Sequence, residues 1–201
     1  MTPPIEFYFD FSSPYAYLAS EQIEAIAQRH GRELKCKPIL LGAIFKSTGG
    51  APLTEGFGPK AAYSMHDFAR SARFAGVRFE FPSPFPVATV TAARALLWLQ
   101  AHQPEAASGF LHAVFRAYFV DGRDISRSEV VAQIAAERGL DAERVIAGSQ
   151  DPLIKDELKA QVETAIVRGV FGAPFLFVGD EAFWGNDRLP QLDRWLAGGG
   201  F

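Results

Sequence analysis

The chain has 201 residues, 48% of them apolar, a formal net charge of -3 and one cysteine. This suffices for a substantial core, held in one domain with an insertion or in two small lobes. The charge, without basic runs, leaves no electrostatic footprint for nucleic acid or an anionic membrane surface, and no apolar run approaches the roughly 20 residues that span a bilayer. With no charged and apolar leader before the first strand, the expected compartment is the cytoplasm.

In chain order, the aromatic run Phe7-Tyr8-Phe9 predicts a strand, Asp10 to Ser13 a polar turn, and Pro14-Tyr15-Ala16-Tyr17-Leu18 the opening of a helix. Pro14 suits the first helical position, and Ser13 then sits at the helix N-terminus. Two roles are open to Ser13. It caps the helix, or its hydroxyl joins the unpaired N–H groups and the positive end of the dipole in stabilising an anion such as a thiolate. The next apolar segment, Leu34 to Ile39, predicts a second strand and holds Cys36. One cysteine excludes an internal disulfide, and dithiol chemistry needs a low-pKa thiol at the helix start, where this chain has Ser13 and Ala16. Cys36 is expected to be a small buried or edge-strand side chain.

From about residue 45 to 150 the periodicity is helical, over 61–75, 90–102, 109–120 and 129–138, with shorter segments at 142–147 and 156–168. Gly139 and Gly148 read as stops, Asp151-Pro152 as a start, and Ser126 with Glu129 as a capping box. A Gly/Pro-rich loop is expected from Gly49 to Pro59, and a loose tail from Gly198 to Phe201. Such a helical insertion would lie over the Ser13 turn and wall a cleft. Further on, Gly172-Ala173-Pro174 leads into the strand Phe175-Leu176-Phe177-Val178, a Gly179-Asp180 turn, a second strand to Trp184 and a helix start at Gly185-Asn186-Asp187. Pro174 cannot donate to a ladder, so it belongs at a strand's first residue or a bend, where a cis bond is also tolerated.

Other chemistries lack their signatures. His30, His66, His102 and His112 show no zinc spacing, and no metal site is expected. There is no Walker or dinucleotide glycine fingerprint, no Gly-x-Ser-x-Gly elbow around Ser13, and no histidine identifiable as its base.

The opening at residues 9–15 (Phe-Asp-Phe-x-Ser-Pro-Tyr) and the close at 171–189 (Phe-Gly-Ala-Pro through Trp-Gly-Asn-Asp-Arg-Leu) resemble the 2-hydroxychromene-2-carboxylate isomerase family, relatives of kappa-class glutathione transferases and DsbA-like proteins. Weaker matches occur at 42–49, at 60–63 with Asp67 and Arg70, and at 81–86. The resemblance implies an α/β architecture, a thioredoxin-like fold with a large inserted all-helical lobe of DsbA/kappa type. Residues 1–44 and 151–201 would form the thioredoxin-like domain, and 45–150 the insertion.

It also implies glutathione as cofactor, its sulfur held by Ser13 as the catalytic residue. The Ala173 backbone beside Pro174 would pair with the cysteinyl unit. Gly185, Asn186 and Asp187 would grip the γ-glutamyl end, although Asn186 and Asp187 suit plain helix capping equally well. Trp184 would wall the pocket or belong to the core. Lys46 and Lys60 are candidates for the substrate carboxylate or the glycyl end, against an ordinary role as solvated charges. Phe85, with Phe81 and Phe11, is a candidate apolar wall for a small aromatic carboxylate. Family members commonly carry Asn where this chain has Gly50. The implied reaction interconverts 2-hydroxychromene-2-carboxylate and trans-o-hydroxybenzylidenepyruvate, thiolate addition to the opened enone turning a double bond into a rotatable single bond. A homodimer is expected. A kappa-like transferase and a noncatalytic thioredoxin-fold module are the competing readings.

Overall fold

The computed structural model describes residues 2–54 and 58–200. Strand β1 (Ile5–Phe9) is buried along almost its whole length, so it reads as a continuous apolar run and sits inside the sheet. It leads through the turn at 10–13 into α1 (Pro14–Arg29) and then β2 (Leu34–Pro38), which pairs with β1 in parallel. Strand β3 (Phe175–Val178) joins the other side of β1 in antiparallel register, Tyr8 opposite Phe175, and β4 (Glu181–Trp184) closes the hairpin through Gly179-Asp180. The resulting order is β2-β1-β3-β4. At the β2 edge the Cys36 and Pro38 carbonyls accept from the side-chain amides of Gln100 and Gln161, which occupies acceptors that another strand would need.

Between β2 and β3 run α2 (Leu41–Thr48), α3 (Pro59–Ala75), α4 (Val90–His102), α5 (Pro104–Phe119), α6 (Ser128–Glu137), α7 (Ala142–Ser149) and α8 (Pro152–Val167); α9 (Leu189–Gly198) ends the chain. The helical insertion and the mixed sheet are those of the DsbA-like thioredoxin fold. One apolar cluster runs through both parts. Its aromatic spine passes from Phe9 to Phe11 (5.2 Å between ring centroids), Phe11 to Phe115 (4.9 Å) and Tyr17 to Phe119 (5.3 Å), joining sheet, α1 and α5.

Several elements depart from expectation. Helix α2 crosses the division drawn between residues 44 and 45 and buries Ile44 at that point. Helix α5 starts at Pro104, five residues before the expected Gly109, because a proline costs nothing at the first helical position. The Ser126–Glu129 capping box does not form: Ser126 turns back, its N–H and hydroxyl donating to Asp124 Oδ1 at 3.0 and 2.6 Å, and α6 begins at Ser128. Gly139 does follow the end of α6, with φ +74°, but Gly148 lies inside α7, where the indole of Trp98 leaves no room for a Cβ. The expected loop at 49–59 and the tail at 198–201 each run partly outside the described residues, at 55–57 and at Phe201.

Candidate active site

Ser13 has extended backbone angles at the N-cap of α1, and Pro14 takes the first helical position. The cap forms because Ser13 Oγ accepts from the Ala16 N–H at 3.2 Å. The same hydroxyl donates to the Ala173 carbonyl at 3.0 Å, across 160 residues of sequence. One oxygen therefore caps the helix, the first of the two roles open to it, and also ties α1 to the proline loop. Ser13 is 5% exposed. Pro14 brings no N–H and Ala16 has spent its own on Ser13, which leaves the Tyr15 N–H as the first-turn donor for an anion.

Pro174 is buried before β3, and the Ala173–Pro174 peptide is cis. The Pro174 carbonyl accepts from the Gly185 N–H at 3.0 Å, joining the start of the hairpin to its end. Gly185 has φ +107°, which favours glycine, and its backbone passes close to the Asp187 carboxylate. A short 3-10 turn, Asn186–Arg188, follows and packs on α1. Asn186 is half-buried, and Asp187 is exposed beside Arg188 at 3.3 Å. Trp184 is 49% exposed and edge-on to Phe171, with ring centroids 4.7 Å apart, so it does not belong to the core.

On the other side of α1, the Tyr15 hydroxyl donates to Asp67 Oδ2 on α3 at 2.5 Å, and Arg70 pairs with the other oxygen of Asp67 while donating to Tyr63 at 2.8 Å. Burial, the hydrogen bond to Asp67 and the charges of Asp67 and Asp187 all push the Tyr15 pKa up, so the phenol stays protonated. Burial works against ionisation of Asp67, but hydrogen bonds from Tyr15 and Arg70 outweigh it and hold the carboxyl below its usual range. The spacing of Asp67 and Arg70 is visible on one helix face. Their partner Tyr15, 52 residues away, is not, and sequence reasoning assigned the group no role.

The side chains of Lys46 on α2 and Lys60 on α3 are exposed and make no hydrogen bond or ion pair among the described residues. Phe85 is half-buried in the segment between α3 and α4, its ring 4.8 Å from the exposed Phe81. That segment is fastened to α1 and α5 by hydroxyls of Tyr17 and Tyr118, which donate to the carbonyls of Arg78 (2.7 Å) and Pro84 (2.9 Å). Phe11 is fully buried against Phe9 and Phe115, so it cannot wall a pocket. Cys36 lies on the edge strand, and burial pushes its thiol up to about 12, which keeps it protonated. A groove of about 630 Å³ runs along that edge, and none of the predicted site residues lines it.

The profile of the DSBA-like thioredoxin domain matches residues 4–197. A 2-hydroxychromene-2-carboxylate isomerase of Sphingobium xenophagum is 32% identical over 98% of this chain and 99% of its own. A solved structure of a 2-hydroxychromene-2-carboxylate isomerase superposes with a TM-score of 0.85 at 27% identity, covering 96% of this chain and 94% of that one. Glutathione S-transferase kappa 2 of Caenorhabditis elegans is 23% identical over 96% of this chain and 91% of its own.

Proposed function

The chain belongs to the DSBA-like thioredoxin family and, within it, to the 2-hydroxychromene-2-carboxylate isomerases, and from that membership we propose that it is a glutathione-dependent isomerase interconverting 2-hydroxychromene-2-carboxylate and trans-o-hydroxybenzylidenepyruvate in aromatic breakdown. The observation that carries the reading is the Ser13 hydroxyl, at a helix N-terminus and 3.0 Å from the carbonyl beside the proline that opens the hairpin. A hydroxyl replaces the thiol of the dithiol enzymes, so the reactive sulfur must come from a bound molecule.

The residues present fit glutathione. Gly185, at φ +107°, carries the chain from β4 into the 3-10 turn, and Asn186 and Asp187 stand on that turn to take the γ-glutamyl end. Ala173 offers its backbone to the cysteinyl unit. Glutathione bound there supplies a thiolate nucleophile. For Ser13 to serve that sulfur, its O–H turns about one staggered bond from the Ala173 carbonyl, while the oxygen keeps the Ala16 N–H. The Tyr15 N–H and the α1 dipole add to the same end, and each unit of lowered thiol pKa is worth about 1.4 kcal/mol. Lys46 and Lys60, uncommitted among the described residues, would take the substrate carboxylate. Phe85, with Phe81, would line its ring and Trp184 would wall the glutathione end.

The protein is read as a cytoplasmic homodimer. No helix among the described residues is long and apolar enough to cross a membrane, and the exposed Phe74, Leu153 and Val167 give a second copy apolar surface to bury. Absorbance of the chromene substrate, followed with and without glutathione and with a thiol titration afterwards, tests the activity. Turnover that requires glutathione and returns it unchanged is expected. Depletion of glutathione would favour the transferase reading, and turnover without it would remove Ser13 from its role.

A further inference from the structure

Behind the Ser13 turn lies a carboxylate that the reaction as described does not use. Asp10 is 4% exposed and accepts four hydrogen bonds. Its Oδ1 takes the Ser12 N–H (2.9 Å), the Ser12 hydroxyl (3.0 Å) and the Thr89 hydroxyl (2.8 Å); its Oδ2 takes the Leu41 N–H (2.7 Å). The Asp10 carbonyl also accepts from the Ser13 N–H at 2.9 Å. The two oxygens thus divide their partners, Oδ1 holding the turn that presents Ser13 and the start of α4, Oδ2 holding the start of α2.

Neither helix is capped by its own N-cap side chain. Leu40 has none to offer, and Thr89 spends its hydroxyl on Asp10. A buried carboxylate is costly unless donors surround it, and an apolar residue would fill the space at less cost. The charge is therefore better explained by what it holds in register. We propose that Asp10 is a positioning residue, a single carboxylate that sets the Ser13 turn against α2 and so fixes the separation between the sulfur-holding hydroxyl and the helix bearing Lys46. This rests on the isomerase reading for its kinetic meaning, though the tie itself is independent of it.

Two variants separate the oxygens. In Asp10→Asn the amide oxygen keeps the three donors at Oδ1, but its NH2 meets the Leu41 N–H, donor against donor. Asp10→Ala releases both sides. A buried group left unpaired shifts an equilibrium by roughly fivefold to 150-fold. Asp10→Asn is expected to raise the chromene KM about tenfold, with kcat and the glutathione KM within about twofold of wild type, whereas Asp10→Ala also lowers kcat by about tenfold or more. A general loss of packing would not split KM from kcat in this way. Leu41→Pro breaks the α2 link from the helix side, removing the Leu41 N–H and setting its ring Cδ against Asp10 Oδ2. Proline is tolerated at the first helical position, and Leu40 already has the extended angles that a residue before proline prefers. It should likewise raise the chromene KM alone.

Hydrogen exchange supplies a readout that needs no turnover: Asp10→Asn should speed exchange at the start of α2 and leave the first turn of α1 protected. Wild-type kinetics in all three variants, parallel losses of kcat and KM, or exchange that is unchanged or uniformly faster would overturn the proposal. If the wild-type protein does not turn over the chromene, the isomerase reading fails and exchange alone decides the tie.

Discussion

Ser13 and Gly148 are residues whose neighbours in sequence describe only part of their work. The Ser-Pro start identifies Ser13 as a cap, and Oγ does accept from Ala16. The bond to Ala173 comes from a loop 160 residues away and has no local signature. Removing a donor aimed at developing or resident negative charge costs about 10²–10³-fold in turnover, and losing an N-cap about 1 kcal/mol of stability. Ser13→Ala should therefore lower kcat at saturating glutathione by about a hundredfold, with a small drop in melting temperature. An unchanged rate would dismiss the hydroxyl. Gly148 reads locally as a helix stop, yet it sits within α7 because Trp98 of α4 fills the space beside its backbone. Alanine gains about 1 kcal/mol over glycine in an open helix interior, whereas forcing a methyl group into a packed site costs about 1–3 kcal/mol. Gly148→Ala is expected to destabilise the protein in denaturant titrations; a gain in stability would mean that the indole moves aside freely.

Helices are legible in this chain to the extent that their stripes and ends are local. Helix α4 runs over the expected 90–102, where alanine and leucine form one apolar block. Helix α2 has no clear sequence signal, because eight residues containing a glycine carry too weak a pattern and its first N–H is satisfied by Asp10, in the turn after β1. The contact of α1 with α5 is likewise a tertiary product. Between the two helices, His112 stands 3.5 Å from Glu21 and 3.2 Å from Glu24, while Arg116 grips Glu21 at 2.6 and 2.9 Å. Burial disfavours the Glu21 charge, but His112 and Arg116 outweigh it and bring the carboxyl down to about 2. Contact with Glu21 raises the His112 pKa against its own burial, with Glu24 adding to the rise. A lowered carboxyl contributes stability that is complete above its unfolded pKa and fades as pH falls toward the folded one. A raised histidine contributes stability that is complete below its unfolded pKa and fades as pH rises through the folded one. The clasp should thus be strongest between about pH 4.5 and 6.5, the ordinary values of the two groups. The melting-temperature gap between wild type and His112→Gln should be widest in that window and shrink on both sides. A gap that does not change with pH would assign His112 to packing alone.

Over the whole molecule, the helical insertion and the thioredoxin-like part share their core. Phe115 and Phe119 of α5 pack on Phe9, Phe11 and Tyr17, so neither part closes its apolar surface without the other. Unfolding is expected to be one cooperative transition, with far-UV circular dichroism and tryptophan fluorescence giving the same midpoint, since Trp98 reports on the insertion and Trp195 on α9. Separate midpoints would make the insertion an independent domain. The opening strand and helix, the proline-led hairpin, the serine at the first helix and the single cysteine were all determined by the sequence itself, because periodicity, proline geometry and residue identity act within a few positions. The meeting of Ser13 with Ala173, of Tyr15 with Asp67 and of Asp10 with α2 and α4, and the demand for glycine at 148, were decided only by the tertiary structure. Those contacts depend on how closely distant segments approach once the shared core is packed, and neither a hydrogen bond nor a steric limit between remote residues leaves a periodic trace in the chain.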